Sequence, residues 1–433
     1  MHPDAARLYA RDEVIAGVEK LRFFPLALES GQGSWLREAG GRELLDLSAT
    51  WTACGLGHGH PAVKEALQRA ATAPPGAGAL SAVHADGVAL AEELLALTPG
   101  GTDRRVYFGH SGSDANDVAI RCAIHATGRP RVLSFEHSYH GGLGIAMKAS
   151  GVHVEAGTTP ADSAVVFTPY PDPYRNADGY QAVLAELDRN LSGRDVGCLL
   201  LEPILSDGGL IVPPDGFLTE VARRCAEAGT LLICDEVKVG LGRTGTWHAF
   251  EHDDITPDII TFGKSLGAGV PISAAVGPAS VLDEPVASSL LTNAGNPFSV
   301  AVARAVLATM EAEGLVERAA SAGDRLRKGL QEATADMDVV GDIRGRGLVI
   351  GLELVLDRES QQRNAALAAQ TVYRVWELGG VVYYVGGNVL EITPPLVITD
   401  DEVDRAVDLL VQGIREAAGG TVSDDQIAPY SGW

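Results

Sequence analysis

Apolar residues occur along this chain in two kinds of run. Some are short and unbroken: RVYFGH (Arg105–His110), RVLSFE (Arg131–Glu136), DSAVVFTPY (Asp162–Tyr170), VGCLLLEPI (Val196–Ile204) and TLLICDEV (Thr230–Val237). Others repeat at helical spacing, such as GVALAEELLAL and FLTEVARRCAEAG, the second with Gly229 placed as its C-cap. Unbroken apolar strands separated by helices predict an α/β fold on a mostly parallel sheet with both faces covered. Ligands bind such sheets at the carboxyl ends of the strands. Glu202, Asp207, Asp235 and Lys264 all fall at or just beyond such ends.

The two ends of the chain read differently. Residues 1–35 look helical, and RELLDLS (Arg42–Ser48) is a short extended segment. LGHGHP (Leu56–Pro61) is a loop whose Pro61 suits the first position of a helix. PFSVAVARAVLATMEAEGL is a long helix from Pro297. Beyond about residue 320 the order is helix, a Gly/Arg turn (GDIRGRG), strand (LVIGLELV), helix, strand (VLEITPP). This predicts a large domain over residues 56–320 and a small α+β domain over 321–433, joined by the N-terminal segment 1–55.

The chain has 433 residues and 46% hydrophobic content, ample for a large core, and a formal net charge of −23. So acidic a surface argues against nucleic acid and anionic membranes as partners. No apolar run approaches the ~18 residues of a membrane span, and the opening MHPDAARLYARDEV is too polar for a secretory signal. The five cysteines contain no CxxC pair and read as reduced packing residues, with a cytoplasmic location as the expectation. No metal-ligand spacing stands out.

Asp235 closes one apolar run and Lys264 follows the next, in CDEVKVGLGRTG and DIITFGKSLGAG. That pairing suits pyridoxal 5′-phosphate (PLP): a lysine amine holds the cofactor aldehyde as a Schiff base, and a carboxylate keeps the pyridine nitrogen protonated so that the ring accepts electrons. FGHSGSDAND joins a strand end to a helix start, where Ser111, Gly112 and Ser113 can hold a phosphate. In HSYHGG, Tyr139 can stack on the ring, with His140 in support. The hydroxyl of Thr292, in TNAGNP, can reach a phosphate, its own or that of a neighbouring subunit. Trp51, in LSATWTACG, is a wall of the substrate pocket.

LGHGHP, SGSDAND, SYHGG, EPILSDGGLIVPPDGF, CDEVKVGLGRTG, PDIITFGKSLGAG, GNP, IRGRGLVIGLEL and PPLVITDDEV stand in one order. In that order the chain resembles, over nearly its whole length, the class III, fold-type I PLP enzymes, the ornithine and γ-aminobutyrate aminotransferase family. The resemblance implies a fold-type I PLP-dependent transferase, with active sites at the interface of a homodimer or a dimer of dimers. It implies Ser111, Gly112, Ser113 and Thr292 on phosphate, Tyr139 on the ring, Asp235 on the pyridine nitrogen and Lys264 as the Schiff-base lysine.

Three departures from the aminotransferase pattern matter. Ser206-Asp207-Gly208-Gly209 replaces a Gly-Glu-Gly-Gly segment. Lys238 replaces a glutamine, putting a cation where the cofactor's phenolic oxygen would lie. Glu391 stands where many members carry an arginine for the substrate α-carboxylate, and like charges repel. With YPDPYR, these features look like the α-amino-ε-caprolactam racemase and isoleucine 2-epimerase branch. The expectation is a racemase or epimerase acting on an amino acid or an amino-acid amide or lactam, with aminotransfer from an amine or amino acid to a keto acid as the alternative. Inversion needs a second acid on the face away from Lys264. Asp207 is that acid, with Tyr139 as alternative or partner.

Overall fold

The computed structural model describes residues 2–72, 78–430 and 432. The chain divides into two compact units, one of residues 61–316 and one built from both ends, 1–60 and 317–433.

The larger unit carries a seven-stranded sheet. Across it the strands run Arg104–Gly109, Ser273–Pro278, Ile259–Phe262, Leu231–Asp235, Val196–Leu201, Arg131–Phe135 and Val165–Thr168. Ser273–Pro278 is antiparallel to both neighbours and the remaining pairs are parallel. The sheet is therefore the mostly parallel one that the sequence predicts. Its central strands are buried at every position of Val196–Leu201 and Ile259–Phe262, as their unbroken apolar runs require. Val118, Ile120 and Ala123 of the Gly112–Thr127 helix pack on one face against Val132, Cys198, Leu200 and Ile233. Pro61 opens the Pro61–Thr72 helix, and Gly229 ends Phe217–Ala228 in the left-handed region at φ 66°.

The second unit holds two four-stranded sheets. Leu28–Gln32, Trp35–Glu38 and Glu43–Asp46 form an antiparallel meander joined in parallel by Gly380–Val381. Val340–Arg346, Val349–Leu354, Val389–Ile392 and Tyr383–Val385 form an antiparallel sheet. Helices Ala365–Leu378 and Asp400–Ala418 belong to the same unit.

Three local expectations are corrected. The first thirty-five residues are not one helical stretch. Only Pro3–Ala10 is α-helical, two short 3-10 turns follow, and Leu28–Gln32 is a strand; Gly17 and Pro25 interrupt the helical pattern. GDIRGRG is not a turn but most of the Val340–Arg346 strand. Its half-buried Arg344 is compensated by Asp342 at 3.0 Å and Glu353 at 2.7 Å, which lets a charged side chain sit on this edge strand. Of the five cysteines, Cys122, Cys198, Cys225 and Cys234 are buried packing residues, but Cys54 is only half-buried in a loop. Among the described residues no helix is long and apolar enough to cross a membrane, and no cluster of metal-ligating side chains forms.

Candidate active site

The site grows from the carboxyl ends of five strands in the larger unit. Asp235 is the last residue of Leu231–Asp235 and is 5% exposed. Its Oδ2 accepts from Asn116 Nδ2 at 2.7 Å and from His140 Nδ1 at 2.8 Å, while its Oδ1 accepts one bond, from the Val237 N–H at 3.0 Å. A carboxylate oxygen can accept two, so Oδ1 retains capacity for another donor. Asn116 is itself fully used: it also donates to the His140 carbonyl (2.9 Å) and accepts from the Thr261 hydroxyl (2.6 Å). This network fixes Asp235 against a helix, a neighbouring strand and the Tyr139 loop. His140 Nε2 is buried without a hydrogen-bond partner among the described residues.

The other acid of CDEV does a different job. Glu236 is buried and accepts from the Ala249 and Phe250 N–H groups at 2.9 and 3.0 Å. Burial pushes its carboxyl up to about 8. It clamps a loop.

The helix start beside Asp235 divides the three residues expected to bind phosphate. Ser111 is the N-cap of Gly112–Thr127 in a capping box: its hydroxyl accepts from the Asp114 N–H and its own N–H donates to the Asp114 carboxylate. Gly112 and Ser113 occupy the first helical turn, where N–H groups have no partner within the helix and the macrodipole favours an anion. The approach to them is narrow. A Cβ on Gly112 would lie 2.5 Å from Val237 Cγ1, and one on Gly263 would lie 3.2 Å from the Gly112 nitrogen. Three segments therefore meet at one point: the helix start, the chain just beyond Asp235, and the chain just before Lys264. Lys264 is half-buried and starts the Lys264–Gly267 turn with a left-handed φ of 40°, a conformation unusual for a long side chain.

On the side of Tyr139 the structure gathers further ionisable groups. The Tyr139 N–H donates to Glu202 Oε1 at 2.9 Å, and its ring lies 5.4 Å from that of His153. Burial raises the Tyr139 phenol, and the charge of Asp207 adds to this. Asp207 Oδ1 accepts from Lys238 Nζ at 2.6 Å, and both side chains are nearly buried. Lys238, expected near a phenolic oxygen, thus forms an ion pair with the expected second acid.

Ser111, Gly112, Ser113, Tyr139, Asp207, Asp235, Lys238 and Lys264 all belong to this one unit. Thr292 belongs to it too, but stands exposed in the turn before Pro297–Ala312 and makes none of these contacts. Trp51 belongs to the other unit, stacked on Tyr383 with ring centroids 4.8 Å apart. It sits within four consecutive non-glycine residues of positive φ, Ala49 to Thr52 (47°, 53°, 56° and 67°). Asn116, Thr261 and His153 are assigned no role by the sequence motifs, and Glu202 is marked only by its place at a strand end. Asn116 was detectable: it lies one helical turn beyond Gly112, on the face that the apolar residues of the same helix bury.

Residues 16–414 match the family described as aminotransferase class-III. The chain is 35% identical to the leucine/methionine racemase of Thermococcus litoralis over 96% of each chain. It is 33% identical to the isoleucine 2-epimerase of Lentilactobacillus buchneri, covering 96% of this chain and 95% of that one. It is also 35% identical to the acetylornithine aminotransferase of Mycobacterium leprae, covering 91% and 92%. Among solved structures, an (S)-enantioselective omega-transaminase from Thermomicrobium roseum superposes with a TM-score of 0.87 at 28% identity, covering 98% of this chain and 100% of that one.

Proposed function

Since the chain belongs to the class-III aminotransferase family of PLP-dependent enzymes, we propose that it is an amino-acid racemase or epimerase. The residues at the strand ends fit the cofactor. Asp235 Oδ1 can take the pyridinium N–H, the Gly112 and Ser113 N–H groups suit the phosphate, the Tyr139 ring suits a planar partner, and Lys264 is the amine to hold it. Bound there, PLP supplies an electron-accepting ring that acidifies the substrate Cα–H.

The remaining chemistry belongs to side chains of this protein. With substrate bound, Lys264 Nζ would be placed to take the Cα proton on its own face. Inversion then requires a proton delivered from the other face. Asp207 and Lys238 are the pair for that delivery, the proton passing from the Lys238 ammonium through the Asp207 carboxyl it bonds at 2.6 Å. Tyr139 lies within the same charge neighbourhood, as partner or alternative donor. The Asp207–Lys238 pair is the observation that carries this reading, because in aminotransfer Lys264 can both take and return the proton on one face, and no second acid is needed. Glu391 supports it, since an acid cannot grip a substrate α-carboxylate. The racemase and epimerase relatives agree, while the acetylornithine aminotransferase relative keeps aminotransfer as the alternative.

Trp51 is proposed as a wall of the substrate pocket. Each residue in its strained turn costs about 1 kcal/mol or more, strain that clusters at functional sites. The reading includes a homodimer or a dimer of dimers, in which exposed Thr292 reaches the neighbouring subunit's phosphate.

The test is to incubate single-enantiomer amino acids, amides and lactams with the enzyme and no keto acid, followed by chiral chromatography. The expected result is loss of enantiomeric purity. An absolute requirement for a keto-acid acceptor, with no inversion, overturns the reading in favour of aminotransfer.

A further inference from the structure

Glu202 follows the Val196–Leu201 strand and is 4% exposed. Its two oxygens hold two different loops. Oε1 accepts from the Tyr139 N–H at 2.9 Å, in the loop beyond Arg131–Phe135; Oε2 accepts from the Ser206 N–H at 3.1 Å, in the loop that carries Asp207. The backbone beneath Glu202 is fixed as well, because the buried Tyr170 hydroxyl donates to the Glu202 and Pro203 carbonyls, both at 3.1 Å.

The same loops meet again one residue past Asp207. A Cβ on Gly208 would come within 2.8 Å of the His137 carbonyl oxygen and 2.9 Å of the His137 Cβ. Only glycine allows that approach, so the Asp207 turn lies directly on the backbone two residues before Tyr139.

An acid at this position is costly. Burial pushes the Glu202 carboxyl up to about 7; the charges of Asp235 and Asp207 push the same way, and His140 opposes them. The six strand residues before it are apolar, and the fold calls for no charge there. What offsets the cost is the pair of N–H groups it holds.

We propose that Glu202 is a positioning residue that sets the distance between the Tyr139 ring and the Asp207 carboxyl, and so decides how often the returning proton inverts the carbon. The proposal rests on the racemase reading. As a carboxylate, Glu202 accepts both N–H groups. Protonated, one of its oxygens carries a hydrogen and meets an N–H donor, so one tie weakens. The ratio of inversion to retention therefore rises as Glu202 ionises. The other ionisable groups facing it are His140, Asp235, the Asp207–Lys238 pair and the Tyr139 phenol, with His153 beyond the tyrosine. Glu202→Gln leaves all of these in place.

The experiment uses holoenzyme and one enantiomer of an amino acid in D2O. NMR reads deuterium at Cα, and chiral chromatography reads inversion. For the unmodified enzyme the inversion-to-retention ratio is expected to climb from about one pH unit below to one unit above the Glu202 value of about 7. In Glu202→Gln the ratio is expected to be flat and about tenfold lower, the effect of one lost charge-assisted hydrogen bond. Hydrogen exchange on the same holoenzymes should show faster amide exchange at 136–143 and 203–209 in the variant, with Leu231–Asp235 unchanged. A ratio that is flat with pH in the unmodified enzyme, or equal in the variant, overturns the positioning role and leaves the racemase reading standing. Deuterium uptake without any inversion in the unmodified enzyme overturns both.

Discussion

In the larger unit His140 Nδ1 lies 2.8 Å from Asp235 Oδ2, and in the smaller unit His58 Nε2 lies 2.7 Å from Asp46 Oδ2. The two pairs look alike in distance but differ in what surrounds them. Asp46 is fully buried, and its Oδ1 is saturated by its own loop: the Ser48 N–H and hydroxyl at 2.9 Å and the Ala49 N–H at 3.0 Å. Those bonds hold the entry to the left-handed stretch Ala49–Thr52. Asp235 Oδ1 has one donor, and the far nitrogen of its histidine has none among the described residues. The Asp46 carboxylate, with four donors, supports a strained backbone; the Asp235 carboxylate, with three, keeps a place on Oδ1 for one more. Hydrogen-bond accounting therefore distinguishes these two acids better than distance or burial does.

Substitutions can break that contrast. Asp235→Asn should lower turnover by roughly a hundredfold or more, about 2.7 kcal/mol of barrier, with little change in the unfolding midpoint. Parallel steady-state kinetics and thermal melts check it, and a variant that unfolds while keeping its turnover would erase the distinction. Asp46→Asn should do the reverse: a loss of about 2–3 kcal/mol of stability, since one member of a buried pair is neutralised, and turnover per folded molecule changed only a few-fold. Asp207→Asn extends the comparison to the acid proposed for the far face. Its inversion rate should fall about tenfold further than its Cα exchange with retention, and equal losses in both would remove it from that role.

The smallest effect is one of pH. Burial alone would lower the His58 imidazole, but hydrogen bonds to Asp46 and Cys54 and the Asp46 charge outweigh it and hold it at about 9, against 6.5 for the free side chain. A folded-state value above the unfolded one stabilises the fold fully below pH 6.5 and loses that contribution as pH rises through about 9. The unfolding midpoint should drop by a few degrees across that window, and His58→Gln should flatten the drop. An unchanged slope in the variant would assign the dependence to other groups.

The sequence and structure agree where the physics is local and periodic. Unbroken apolar runs such as VGCLLL and TLLICD can only be strands buried on both faces, so the sheet and the acids at its carboxyl ends were legible. Capping signals were legible too, at Pro61 and Gly229. What escaped depends on contacts between distant segments. GDIRGRG has turn composition, and Glu353, on the neighbouring strand, joins Asp342 in compensating Arg344. Ser111, expected on a phosphate, also caps its helix, donating its N–H to the Asp114 carboxylate and accepting from the Asp114 N–H, a reciprocal contact that the phosphate reading alone does not announce. Glu202 reads as the end of an apolar strand, and its two backbone partners lie in loops that no spacing rule connects to it. The ion pair of Lys238 with Asp207 likewise joins residues whose separate motifs gave no hint of contact.

The central claim is that the strand ends of the larger unit hold PLP through Lys264, above the one-donor oxygen of Asp235. Borohydride reduction of the holoenzyme followed by peptide mapping tests it most directly. The account predicts a single cofactor-tagged peptide, modified at Lys264 and lost in Lys264→Ala. A tag on another lysine, or none, would contradict it.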